Sequence, residues 1–146
     1  LAMSACASDI PETQSNQIYY DGLMVTIGDT EEVVELGEWV TMADTDCFLI
    51  VNYEIENVTE ETVSAEDLAY IWMEDEEYIY NVDMELMEVY ADENGIDLDA
   101  IKGDIEPSET VKGCIAFIAE FGVADSSETY LYFVDIATSL YFSDFQ

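Results

Sequence analysis

Apolar residues recur at every second position over several short stretches of the chain, and turn residues separate the stretches. Leu23, Val25 and Ile27 share one side of a strand that Gly28-Asp29 is expected to end in a turn. Glu32 to Leu36 and Trp39 to Thr41 read as short, weaker strands around Gly37. The clearest alternation runs from Cys47 to Glu56, with Cys47, Leu49, Val51, Tyr53 and Ile55 on one face and Phe48, Ile50, Asn52, Glu54 and Glu56 on the other. The second face turns polar halfway along, so the strand is expected to leave the core on that side. Asn57 to Glu61 is the turn that ends it.

Leu68 to Met73 and Tyr78 to Val82, joined by Glu74-Asp75-Glu76-Glu77, predict an acidic hairpin. Met84 to Tyr90 has room for two helical turns, with Gly95 past their end. Pro107-Ser108 resets the chain before Val111 to Ala119, where Val111, Gly113, Ile115 and Phe117 share a face; Thr129 to Val134 and Leu140 to Phe142 follow. Residues 1–17 are small and polar around Pro11 and read as an N-terminal arm or linker. A single domain is expected over residues 18–146. About eight short strands without a long helix predict an all-β fold, a two-sheet sandwich.

Charge narrows the function. Among 146 residues there are 35 Asp and Glu, two Lys and no Arg or His, a formal net charge of −33. Such a surface repels phosphate, which excludes nucleic acid and anionic headgroups as partners. Its self-repulsion makes stability dependent on salt or cations. Ten Tyr and six Phe set the chain apart from a disordered acidic tail. No apolar run approaches the ~18 residues of a membrane span.

Three cysteines remain to be placed. Leu1-Ala2-Met3-Ser4-Ala5-Cys6 looks like the end of a bacterial lipoprotein signal peptide, with Cys6 the lipidated residue; an ordinary arm with a free or disulfide-bonded Cys6 is the alternative. In an exported protein Cys47 and Cys114 then form a candidate disulfide, worth about 4 kcal/mol in the chain-entropy model, against the alternative of two buried thiols.

Four segments stand out in order: Asp21-Gly22-Leu23-Met24-Val25-Thr26-Ile27, Phe48 to Thr59 with its Asn57-Val58-Thr59 end, Glu106-Pro107-Ser108-Glu109-Thr110-Val111-Lys112-Gly113, and Ile115-Ala116-Phe117. On these segments the chain from Tyr20 onward resembles a lipoprotein module, the domain of unknown function 4352 family. The resemblance implies an immunoglobulin-like sandwich at the cell surface and no particular activity. Ser108 stands where that family usually has Gly.

With no His, a Ser or Cys nucleophile has no ordinary base, and the abundance of carboxylates makes any acid pair uninformative, so no enzyme is expected. Asp92, Asn94, Asp97 and Asp99 around Gly95 form a candidate calcium loop, although the spacing is not that of an EF-hand; Ca2+ is the one cofactor the sequence suggests, and a solvated acidic loop is the alternative. Asn57-Val58-Thr59 is an N-glycosylation sequon at Asn57. Tyr70, Tyr78, Tyr80, Tyr130, Tyr132, Tyr141, Trp39 and Trp72 offer either a carbohydrate or protein contact face or ordinary core and cross-strand pairs. The expected function is a non-enzymatic, extracytoplasmic binding or interaction module, partnered by a protein or cell-envelope component and touching membrane only through a lipid anchor. Two alternatives are a self-assembling subunit of an extracellular fibre, joined through its arm and a Cys6 disulfide, and an acidic inhibitor or decoy of a basic protein.

Overall fold

The computed structural model describes residues 10–145; Cys6 and any lipid or disulfide on it lie outside them. Two four-stranded antiparallel sheets make an all-β sandwich. The first has the order β1 (Gln17–Tyr20), β2 (Leu23–Val33), β5 (Asp46–Asn57), β10 (Thr110–Glu120). The second has the order β12 (Thr138–Tyr141), β11 (Tyr130–Phe133), β7 (Ile71–Glu74), β8 (Ile79–Asn81). Two ribbons accompany them: β3 (Glu35–Leu36) with β4 (Trp39–Val40), and β6 (Val63–Ser64) with β9 (Asp104–Ile105).

β5 is paired along most of its length on both sides, to β2 and to β10. Its odd-numbered face, Leu49, Val51, Tyr53 and Ile55, is buried together with Val25, Ile115 and Phe117 of its neighbours and with Ile71, Met73, Leu131 and Phe133 of the second sheet. The other face carries Phe48 and Ile50, buried, and Glu54 and Glu56, exposed. One helix, α1 (Met84–Asn94), explains that change of character. Its Leu86, Met87 and Ala91 are buried, and its Tyr90 hydroxyl receives a bond from Asn52 Nδ2 at 3.1 Å, so it covers the apolar half of the outer face and leaves the acidic half to water. The helix starts at Asp83, whose carboxylate accepts the Leu86 amide at 3.1 Å, and ends at Gly95 in the left-handed conformation (φ 67°).

One expected turn and one expected modification site differ from expectation. Gly28-Asp29 is not a turn: β2 runs on to Val33, and its register against β5 shifts between Ile27 and Thr30. Two β2 residues oppose Asn52 there, a bulge that swaps the faces of β2, so Val33 pairs with Phe48 on the helix side. Asn57 is not a glycosylation acceptor. It has no accessible surface, and its Nδ2 donates to the carbonyls of Glu61 (2.7 Å) and Ile105 (2.8 Å) while its Oδ1 accepts from the Thr59 amide (2.8 Å) and hydroxyl (2.7 Å). The sequon is a structural turn: the threonine hydroxyl bonds Asn57, and in the folded protein the Asn57 side chain offers no free amide.

The disulfide is also overturned. Cys47 and Cys114 are both free and buried. They lie on neighbouring strands, but Cys114 pairs with Asn52 and Cys47 with Ala119. That register separates them by roughly 17 Å along the ladder, against a limit of ~7 Å for a bridge, and places them on opposite faces of the sheet. Cys114 faces α1, with its Sγ 3.9 Å from the Met87 carbonyl, whereas Cys47 shares the face of Leu49.

Two stability measurements check this architecture. Val51→Asp places an unpaired charge where no solvent reaches and is expected to prevent folding, while exposed Glu54→Lys is neutral or stabilising because it relieves charge; equal thermal stability of the two variants would show the register to be wrong. Ser108 sits at φ 65° between Pro107 and Glu109, in a turn closed by the Glu109 amide on the Glu106 carbonyl at 3.0 Å. Glycine takes that conformation without steric cost, so Ser108→Gly is expected to raise stability by about 1 kcal/mol in urea unfolding.

Candidate binding surface

Alternation along three short strands puts aromatic side chains on the outside of the second sheet. In β7 and β11 the buried residues are Ile71, Met73, Leu131 and Phe133, which leaves Trp72, Glu74, Tyr130 and Tyr132 pointing away from the core. Tyr132 lies directly across from Trp72, and Tyr130 lies between Glu74 and Tyr141. Trp72 and Tyr132 stack, with ring centres 5.7 Å apart and planes 28° from parallel. Tyr70 meets Trp72 edge-on at 5.9 Å, and Tyr130 leans on Tyr141 at 4.9 Å. Tyr70 and Tyr141 are exposed and the other three are half-buried, so the rings form a wetted platform rather than a core. Pre-packed rings of this kind lose little entropy when a ligand settles on them.

Polar groups at this face are partly engaged. The Tyr130 hydroxyl donates to the Glu74 carboxylate, which pushes that phenol up to about 12. The Trp72 indole N–H is shielded from water with no acceptor. The remaining candidate aromatics lie elsewhere. Tyr80 points into the sandwich and donates to Asp75 at 2.7 Å, and Tyr78 meets it edge-on at 6.1 Å. Together with Asp46, Glu76, Glu77 and Glu120 they line an acidic cleft of about 710 Å³ at one edge of the sandwich. Burial alone would raise the Asp75 carboxyl there, but the Tyr80 hydroxyl and the amides of Glu77 and Tyr78 outweigh it and hold it low. The chain uses the same device elsewhere, Tyr20 donating to Asp67 at 3.1 Å and Tyr90 to Glu31 at 2.6 Å. Trp39 lies on the far side of the first sheet.

The candidate calcium loop does not assemble a cage. Asp92 and Asn94 belong to the last turn of α1, Asn94 Nδ2 donates back to the Tyr90 carbonyl at 2.9 Å, and Asp97 caps the Asp99 amide at 3.0 Å. Gly95 takes the left-handed conformation that ends the helix. No three His, Cys, Asp or Glu side chains converge as a metal site among the described residues. The sequence contained the aromatic surface, but its alternation over four-residue strands cannot say which face meets the other sheet.

No family model and no curated protein sequence matches the chain. Among solved structures it is similar to a conserved hypothetical protein of Bacillus anthracis, at 19% identity and a TM-score of 0.65, over 86% of this chain and 91% of that one. The YjhA protein of Bacillus subtilis matches at 14% identity and a TM-score of 0.54, over 88% and 86%. YcdA of Bacillus subtilis, named as a candidate lipoprotein, matches at 13% identity and a TM-score of 0.52, over 82% of this chain and 33% of that one. These likenesses establish the sandwich and no activity.

Burial pushes both thiols up, to about 11; for Cys47 the nearby Glu32 and Asp46 carboxylates add to it. Raised in the folded state, they contribute stability that is present below the unfolded thiol value and is lost as pH rises through about 11. Because the thiolate is the reactive form, an aromatic disulfide reagent at pH 8 is expected to label neither thiol in the folded Cys6→Ser chain and both in denaturant, at least ~100-fold faster. Fast labelling of the folded Cys6→Ser chain would contradict the burial.

Proposed function

We propose that the chain is a non-enzymatic, extracytoplasmic binding module of the cell surface whose outer aromatic platform takes uncharged carbohydrate of the cell envelope. The observation that carries this reading is the row of Tyr70, Trp72 and Tyr132 on the outer face of a sheet, beside Tyr130 and Tyr141. Apolar C–H faces of sugar rings stack on such rings, and hydroxyls around their edge reach groups such as the Tyr130–Glu74 pair. The charge of −33 supports a neutral glycan over a phosphorylated or uronic one, because an anionic polymer would have to approach against the field. The resemblance of Asp21 to Phe117 to a lipoprotein module, and the lipoprotein-like sequence before Cys6, support an address outside the cytoplasm.

Tryptophan fluorescence tests the reading with a neutral probe, a short oligomer of β-1,4-linked N-acetylglucosamine, titrated into a Trp39→Phe background so that Trp72 alone reports. Saturable quenching is expected, and Trp72→Ala or Tyr132→Ala is expected to weaken binding measured by calorimetry about 10-fold, the loss of one stacked ring. Both side chains point outward, so melting temperature should change little. If this oligomer and a panel of other neutral glycans leave fluorescence and heat unchanged at millimolar concentration, the platform does not bind sugar.

A further inference from the structure

A second surface, on the opposite side of the molecule from the aromatic platform, brings exposed apolar side chains together. The β3–β4 ribbon and the segment that follows it run beside the outer face of the first sheet, opposite the first turn of α1. Between them lies a groove of about 320 Å³ lined by Trp39, Val40, Met42, Phe48, Leu86 and Ile118. Phe48 and Leu86 are its buried floor, while Met42 is 98% exposed, Val40 60%, Ile118 51% and Trp39 46%. In a chain that bears 35 carboxylates, four large apolar side chains left in water around one groove are an uncovered contact surface rather than scattered exposure. Carboxylates rim it: Asp46, Asp83 and Glu85 line the same groove. Asp46 and Ile118 also line the acidic cleft, so the apolar floor leads directly into a trough bearing Asp75, Glu76, Glu77 and Glu120.

We propose that this groove docks a basic amphipathic segment of another protein, with apolar side chains on Phe48, Leu86 and Ile118 and Lys or Arg over the acidic rim. Charge decides among the occupants. A second copy would bring a further −33 against the same surface, and an anionic lipid face would be repelled in the same way, whereas a cationic segment is steered in and relieves the self-repulsion of the domain. At 320 Å³ the groove is at the small end for a small-molecule pocket (~300–1,000 Å³), but with the adjoining cleft it suits a peptide that anchors two or three side chains and runs on. The site is independent of the carbohydrate platform and does not require it.

Fluorescence anisotropy with three labelled peptides of equal length, used with the full chain, tests this. The first is a Leu/Lys peptide patterned for a helix with Leu at i, i+3, i+4 and i+7; the second has the same composition scrambled; the third has Glu for every Lys. The patterned peptide is expected to bind about 10-fold more tightly than the scrambled one at ~0.15 M salt and to weaken as salt screens the rim, and the Glu peptide is expected not to bind. Met42→Asn and Ile118→Asn, both at exposed positions and neutral in charge, are expected to lower affinity about 10-fold with the melting temperature kept, while Trp72→Ala leaves it unchanged. Equal binding of patterned and scrambled peptides, or unaltered affinity in both Asn variants, would reduce the attraction to bulk charge and overturn the proposal. So would a dimer in sedimentation that the same Asn variants dissolve, since the groove would then be a contact between copies.

Discussion

The core of this molecule is organised around β5. It is the longest strand of the two sheets and has partners on both edges over most of its length, its inner face packs against the second sheet, and the apolar half of its outer face carries α1. A strand buried on both faces must be apolar throughout, and one with a wet face must alternate; β5 does the first from Cys47 to Val51 and the second from Asn52 to Asn57. The transition marks where the helix stops covering it. At the end of the strand Asn57 spends every side-chain donor and acceptor inside the protein, linking β5 to β9 and to the turn through Glu61. Its backbone amide bonds the Glu109 carbonyl and its carbonyl accepts the Ser108 amide, so one buried residue also fixes where β10 begins.

Fold stability therefore rests on apolar contact and internal hydrogen bonds, because two lysines cannot pair 35 carboxylates. Tyrosine takes part of the role that cations play elsewhere. The phenols of Tyr20, Tyr80, Tyr90 and Tyr130 each donate to an Asp or Glu, satisfying the carboxylate without cancelling its charge. Thr62 does the same for Glu106, and the Gly122 amide for Glu32. These bonds position acids but do not reduce repulsion, which leaves the surface electrostatically unfinished and gives a cationic partner a larger effect here than on a balanced protein.

The two outer faces of the sandwich have opposite fates. The first sheet is covered by α1 and flanked by a ribbon, and where the cover ends an apolar groove opens into an acidic cleft. The second sheet presents paired aromatics to solvent. The two surfaces differ in chemistry: stacked rings on one, and an apolar floor with an acidic rim on the other.

The amino-acid pattern by itself determined most of the longer strands, the sandwich class, the acidic hairpin, the helix with its Gly95 end and the turn after Asn57, because each depends on period or on the conformational needs of a few adjacent residues; Gln17–Tyr20, Val63–Ser64 and Asp104–Ile105 are strands too short to carry a period and were not legible. Register and cover were decided only in three dimensions. Cys47 and Cys114 look like a pair until the β5–β10 ladder sets them on opposite faces; Gly28-Asp29 looks like a turn until the pairing with β5 carries the strand through it as a bulge. Asn57 looks like a glycan acceptor until β9 closes over its amide. The tyrosines alternate equally well inward or outward, and only the packing of one sheet on the other chose which rings meet water. Local sequence fixes backbone habit, but a period of two cannot tell one face from the other, and the burial that chooses between them is a property of the assembled core.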